Sequence, residues 1–275
     1  MAQDNPEALE RALHGPAVPI IAPIDQLRVC ADPNNLPFSN QQQQGFENAI
    51  ARMAANDLHR RLVYYWWPQR RGFVRKTLKS GHCDVVIGVP SRMDMLKTTT
   101  PYYRSSYVFL TRHDRHLDIH SLDDPRLRNL QIGVHAVGDD YANVPPAMAL
   151  AQRGLVQNLH GYSIYGDYSR PDPTRALIDA VANRSVDVAI AWGPLAGYFA
   201  QREPVALDLV PLQSDVGSAQ VMRFDMSMGV RREDKALLQS LNEFIRRRQA
   251  AINAVLRHDG VPLVAGDDQE QGGPR

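Results

Sequence analysis

The chain has no apolar run approaching the roughly 20 residues that a membrane-spanning helix requires, although 44% of its residues are hydrophobic. It has almost no net charge, a formal +1 from 31 basic and 30 acidic residues, and so presents no global positive field for nucleic acid. Residues 1–26 lack a basic stretch followed by a long apolar one, which argues against a secretory signal there; a short helix near residues 7–13 is their one periodic feature. Phosphate-binding glycine loops, zinc-protease signatures and nucleophile elbows are missing. The carboxylates of Asp32, Asp84, Asp94, Asp139 and Asp140 form no recognisable acid–base pair, so the expectation is a protein without catalytic residues and without a resident cofactor. Cysteine is scarce. Cys30 and Cys83 have neither CxxC nor histidine-rich spacing, which leaves zinc without a framework. They read either as a disulfide suited to an oxidising compartment or as two buried thiols behaving as small apolar residues. No internal repeat of solenoid period is present.

What is present is an alternation of strands and helices in a 275-residue chain, long enough for one or two domains. Residues 27–31 form a short apolar strand that stops in a loop rich in Asp, Pro and Asn. An amphipathic helix is predicted over 45–58, with Phe46, Ile50, Met53 and Ala54 on one face. An aromatic strand follows at 62–67, a further segment at 72–79 and an apolar strand at 83–89. The order implies a parallel sheet with helices on its faces. In such sheets the loops at the carboxyl ends of the strands form the ligand crevice. Here those loops are 32–40, 66–71 and 90–103.

Several stretches carry a resemblance: RVCADPNNLPFSN (28–40), WWPQRRGF (66–73), CDVVIGVP (83–90), TTTPYYRSSYVFLTR (98–112), GDDYANVPPAMALAQRG (138–154) and VDVAIAWGPLAGYF (186–199). In this order and spacing they resemble the type 2 periplasmic solute-binding fold. Within it they are similar to the MxaJ/XoxJ-type proteins associated with quinoprotein methanol dehydrogenases, over residues 27–263. The resemblance implies two α/β lobes around a cleft. Lobe 1 would comprise 27–115 with 221–264 and lobe 2 would comprise 116–220, flanked by an N-terminal extension (1–26) and a polar tail (265–275). It also implies export to the periplasm.

The second half reads as follows. The chain is expected to cross between lobes near 113–120, where Arg112, His113, Asp114, Arg115 and His116 suggest a solvated connection rather than a metal site. A strand at 130–134 precedes a helix opening at Pro145 or Pro146, with Asn143 as its cap. Asp139 and Asp140 stand before that helix and weaken an anion-site reading. Asp172 and Pro173 mark another helix start. A buried strand over 186–191 ends at Trp192, Gly193 and Pro194, followed by a helix carrying Leu195, Tyr198 and Phe199, and a short strand lies within 203–211. The return strand falls at 221–230. A long helix with Leu237, Leu241, Phe244, Ile245 and Ile252 on one stripe then runs to Gly260, with Arg246, Arg247 and Arg248 as a solvated basic turn.

Amino-acid receptors of the resembled fold hold the ligand carboxylate with an arginine after the third strand and its ammonium with an aspartate at the end of a second-lobe strand. Arg92 lies in roughly the first place. Trp192 and Gly193 occupy the second, and bring no carboxylate. A buried ammonium needs an acceptor, so an α-amino-acid ligand is disfavoured. The crevice loops are instead aromatic, and such side chains dominate interfaces and apolar pockets. The candidate cleft residues are Asn34, Asn35, Phe38, Trp66, Trp67, Arg92, Tyr102, Tyr103, Asn143, Trp192 and Tyr198. The resemblance implies a non-catalytic accessory of a PQQ-dependent methanol or alcohol dehydrogenase, the cleft receiving part of that partner or a small apolar ligand. The alternative is a receptor delivering a small, non-amino-acid solute to an ABC transporter.

Overall fold

The computed structural model of the chain describes residues 24–136, 144–164, 168–212 and 220–265. In the first half, strand β1 (Gln26–Ala31) lies between parallel neighbours β4 (Arg61–Trp66) and β5 (Val85–Pro90). The link from β1 to β4 carries a two-rung hairpin, β2 (Asn34–Asn35) with β3 (Ser39–Asn40), and helix α1 (Phe46–Asp57). Helix α1 buries Phe46, Ile50, Ala51, Ala54 and Ala55, the three-to-four spacing of a core-facing stripe. The next crossover holds only a four-residue helix, α2 (Phe73–Lys76). Strand β5 is buried from Val85 to Val89, as expected of a strand covered on both faces. Strand β6 (Lys97–Thr98) and β5 both pair antiparallel with β12 (Arg223–Val230). Helix α6 (Lys235–His258) closes this lobe by burying Leu237, Leu241, Phe244, Ile245, Ile252 and Leu256 against it. Its expected basic turn is partly a tie, because Arg247 and Arg248 both hold Asp57 at the end of α1, at 2.6 and 3.0 Å.

The second lobe comprises β8 (Ile132–Ala136), α3 (Pro145–Gln152), β9 (Leu159–Ser163), α4 (Ala176–Ala182), β10 (Val188–Trp192), α5 (Gly193–Ala200) and β11 (Leu207–Pro211). Its parallel strands β9, β8 and β10 separate two cores. Val188 and Ile190 face one, with Phe109, Ile132 and Leu150; Ala189 and Ala191 face the other, with Leu177, Val181 and Phe199. Three expectations shift here. The cap position of α3 is Val144, and Asn143 lies outside the described residues. So do Asp139 and Asp140, residues 1–23, and the tail from 266. Asp172 is left-handed at φ 47° and makes no side-chain cap bond; Pro173 opens a 3-10 turn, and α4 starts at Ala176.

The lobes share strand β7 (Tyr103–Arg112). Its first four residues pair with Arg223–Met226 of β12, and the strand then pairs with β10 and β11 from Tyr107 and Val108 onward. The crossing therefore falls at Ser106–Tyr107, earlier than the 113–120 expected from charge and histidine. Those charges lie on the far surface, where Asp114 is held by Arg112 and Arg184 and His113 faces Asp208. The return is in the same place, since the Tyr107 backbone N–H donates to Met222 at 2.9 Å. A third strap follows α6: Ser105 Oγ donates to the Pro262 carbonyl at 2.6 Å.

Two devices fix the first lobe. Cys30 of β1 and Cys83, just ahead of β5, are joined as a disulfide with Cα atoms 5.4 Å apart. Asp84 is fully buried. It accepts from Arg28 at 2.5 and 2.8 Å and from Arg231 at 2.7 Å. Arg231 is buried too, and also donates to the Leu78 and Cys83 carbonyls. A buried charge needs such paired partners, so Asp84 is structural.

Candidate functional site

The carboxyl ends of β1, β5, β8 and β10 converge on one cavity between the lobes, of about 410 Å³, within the usual range for small-ligand sites. From lobe 1 it is lined by Asn35, Phe38, Glu47, Gly88 and Met226, and from lobe 2 by His135, Thr174, Trp192 and Leu195. Tyr107 and Phe224, from the two connecting strands, complete the wall. The Tyr107, Trp192 and Phe224 rings meet edge to face, with centroids 5.4 to 6.5 Å apart.

The lobes are closed over this cavity. The loop after β1 reaches across, so that Asn34 Nδ2 donates to the Arg170 carbonyl at 2.8 Å and the Leu36 carbonyl accepts from Thr174 Oγ1 at 3.0 Å. Leu36 itself enters a lobe 2 core. Asp32 anchors the contact, accepting from Tyr168 OH (2.6 Å), the Gln69 backbone N–H (2.6 Å) and the Asn34 backbone N–H (2.8 Å). Tyr168 lies beneath the Arg70 guanidinium, 5.3 Å from its ring centroid.

Besides the Tyr107 phenol, which burial pushes up to about 12, two ionisable groups line the cavity. Glu47 stands in the first turn of α1, with its carboxylate over the backbone of β5; a Cβ added at Gly88 would come within 2.0 Å of Oε1. Its carboxylate makes no hydrogen bond among the described residues, while its backbone N–H donates to Phe38 at 3.0 Å. Burial, reinforced by the charge of Asp32, pushes its carboxyl up to about 8, the behaviour of a desolvated acid. His135 is buried at the end of β8. Burial lowers its imidazole to about 4, offset in part by a hydrogen bond to the Thr174 backbone. Such a histidine is a weak base, and Asp32 is saturated with donors. A productive general base needs an acidity matched to the working pH and a free lone pair; neither His135 nor Asp32 has both, and Glu47 is the one group of the set that does.

The structure sorts the expected cleft residues. Asn35, Phe38 and Trp192 line the cavity, and Asn34 bridges the lobes beside it. Tyr102 and Tyr103 lie in the lobe 1 core, 1% and 5% exposed, because β7 begins there beneath α1 and α6. Trp66 stacks on Tyr64 at 4.5 Å against that core. Trp67 faces outward, with the Lys76 ammonium 5.9 Å from its ring. Arg92 is exposed at φ 62° on the loop after β5 and does not line the cavity. Tyr198 borders a different depression, between α5 and the ends of α1 and α6, with Arg202 stacked 3.5 Å from its ring. Sequence reading missed Glu47, Tyr107, His135 and Phe224. Glu47 reads as an ordinary first-turn acid, and the other three sit within strands; the available signal was that Glu47 falls at a predicted helix start and His135 just past a predicted strand end.

The receptor-type acid cannot be restored at Gly193. A Cβ there would fall 2.5 Å from the Ser106 carbonyl and 2.7 Å from Pro262 Cγ. Among the described residues no cluster of three or more metal-donor side chains occurs, and no helix is long and apolar enough to cross a membrane.

Comparison with known proteins agrees with this architecture. The family model of the bacterial extracellular solute-binding proteins, family 3, matches residues 27–253. Protein MoxJ of Methylorubrum extorquens is 32% identical over 251 residues, covering 86% of this chain and 81% of its own. The crystal structure of periplasmic binding protein XoxJ from Methylobacterium extorquens superposes with a TM-score of 0.71 at 39% identity, over 87% of this chain and 100% of that one. The structure of MxaJ from Methlophaga aminisulfidivorans gives 0.77 at 27% identity, with the same coverage.

Proposed function

We propose a function from one premise: the chain belongs to the bacterial extracellular solute-binding proteins of family 3, among the relatives of MoxJ, XoxJ and MxaJ. On our reading it is a non-catalytic periplasmic accessory of a PQQ-dependent methanol or alcohol dehydrogenase, and its cleft receives part of that partner or a small ligand tied to its activation. The observation that carries this is Trp192 in the cavity wall with Gly193 next to it in the chain. The place where an amino-acid receptor needs a carboxylate holds an indole and a glycine with no room for a side chain. A cleft so altered has given up the polar grip of a nutrient receptor while keeping two lobes that close, the hinge repertoire by which a binding event becomes a change of shape.

The test is direct. The purified protein is mixed with apo and cofactor-loaded quinoprotein methanol dehydrogenase and followed by size-exclusion chromatography and native mass spectrometry. Selective binding to one form supports the accessory role and places it before or after cofactor insertion. No complex with either form, well above micromolar concentration, sinks it. One observation favours a second reading: an interlobe cavity of about 410 Å³ suits a small solute. A transport receptor would gain melting temperature with that solute's concentration.

A further inference from the structure

We propose that the interlobe cavity is a site for a small organic cation, a tertiary or quaternary ammonium, with Glu47 as its counter-ion and the rings of Tyr107, Trp192 and Phe224 as its wall. This deepens, and rests on, the reading of the cleft as the binding site.

Three other buried acids among the described residues are paired or hydrogen-bonded. Asp84 holds two arginines, Asp57 holds two, and Asp32 takes three hydrogen bonds. Glu47 departs from that pattern. Its carboxylate is packed against the Gly88 backbone on one side, open to the cavity on the other, and without a hydrogen bond among the described residues. Among the described residues no lysine or arginine lines the cavity, and Asp32 adds a second negative charge nearby. No cationic side chain of the lining favours an anion here.

The aromatic wall selects the kind of cation. The faces of Trp, Tyr and Phe attract positive charge, and desolvated sites do so most strongly. A primary ammonium carries three N–H donors and needs acceptors for each. Beside the Glu47 carboxylate the cavity offers single neutral acceptors, the Asn35 and Thr174 side-chain oxygens, whose own N–H and O–H donate to Gln69 at 3.2 Å and to Leu36. An alkylated ammonium needs no such acceptors. Its methyl groups lie against rings, and one carboxylate balances its charge.

Isothermal titration with choline, with the bulkier benzyltrimethylammonium, and with 3,3-dimethylbutan-1-ol, the neutral isostere of choline, tests this. Wild type and Glu47→Gln are compared at pH 9 and pH 6, in buffers of differing ionisation enthalpy. Besides Asp32, the groups facing Glu47 are Tyr64, Tyr102 and Tyr103 in the lobe 1 core and Tyr107 and His135 around the cavity. Burial raises the four tyrosines and lowers the histidine, so none of these five changes charge between pH 6 and 9. At pH 9 an ammonium should bind the wild type at least about tenfold more tightly than the neutral isostere. Below pH 8 binding should weaken, by up to about tenfold per pH unit, and release a proton. Glu47→Gln, with its fold checked by circular dichroism, should lose the preference at both pH values. Equal binding of cation and isostere at pH 9 overturns the inference and leaves an apolar cleft. Binding of neither probe at millimolar concentration overturns the inference and the small-ligand reading of the cleft, while the dehydrogenase-binding assay still stands as its own test.

Discussion

Replacing Glu47 by glutamine should stabilise the protein at neutral pH and leave it nearly unchanged in acid. An ordinary glutamate titrates near 4.5, and here burial and Asp32 move the group to about 8. Below pH 4.5 the carboxyl is protonated in both the folded and unfolded chain. Between 4.5 and 8 the unfolded chain releases a proton that the folded one retains. Stability therefore falls as pH rises through that window, at up to about 1.4 kcal/mol per unit, and the loss is complete above 8. The whole shift corresponds to about 5 kcal/mol. Contact of the carboxyl with the open cavity reduces this, and about 2–4 kcal/mol is the expected scale. Glutamine has the same shape and no titrating proton, so it removes the slope. Urea unfolding of both proteins at pH 4 and pH 8 reads the effect as a difference of differences, in which every other titrating group cancels. Parallel stability–pH profiles would refute the argument, because they would mean that Glu47 is solvated in the folded state. A stabilising substitution at a cavity wall is the pattern expected where a residue is kept for binding rather than for folding.

Other predictions concern the frame around the cavity. Arg231→Met strands Asp84 with the partly exposed Arg28 and removes the Arg231 donor from the buried Cys83 carbonyl, and should cost about 3–5 kcal/mol in chemical denaturation; Arg28→Met, which leaves the buried Arg231–Asp84 pair intact, should cost less. Cys30→Ser with Cys83→Ser opens a loop spanning 53 residues and should cost about 4 kcal/mol, seen as a lower melting temperature that reducing agent no longer changes. Tyr168→Phe removes the 2.6 Å donor to Asp32 across the cleft, a charged hydrogen bond worth about 1.5–3 kcal/mol. Small-angle scattering should show a larger radius of gyration, and an unchanged profile would show that Asp32 does not hold the lobes closed.

Much of the fold was legible because periodicity reports burial. The stripe of α6 and the uninterrupted apolar runs of β5 and β10 appear in the sequence as they do in the structure. The lobe crossing was misplaced because charge and histidine mark exposure, whereas the true crossing lies within β7, whose sequence shows no break at Ser106–Tyr107. The site was legible only in part. Asn35, Phe38 and Trp192 sit in loops or at a strand end, where position predicts the crevice. Tyr102 and Tyr103 sit at a strand start, and aromatic composition alone does not say which way a strand faces. Glu47 was invisible because its unusual state comes from what surrounds it: Gly88 leaves it room, and Asp32, fifteen residues earlier in the chain, supplies a second charge.

Tyr107 stands where β7 passes from one lobe to the other, bonded through its backbone to Met222 on the return strand, while its ring touches Trp192 and Phe224 in the cavity wall. Pivot and wall are thus the same residues. In a receptor whose ligand sits far out between the jaws, closure is transmitted to the joint through whole domains acting as levers. Here an occupant would press on the joint itself. A molecule lodged against these three rings would set the angle at which both connecting strands leave the first lobe, so the outer faces of the lobes would report the cavity's contents without any intervening relay.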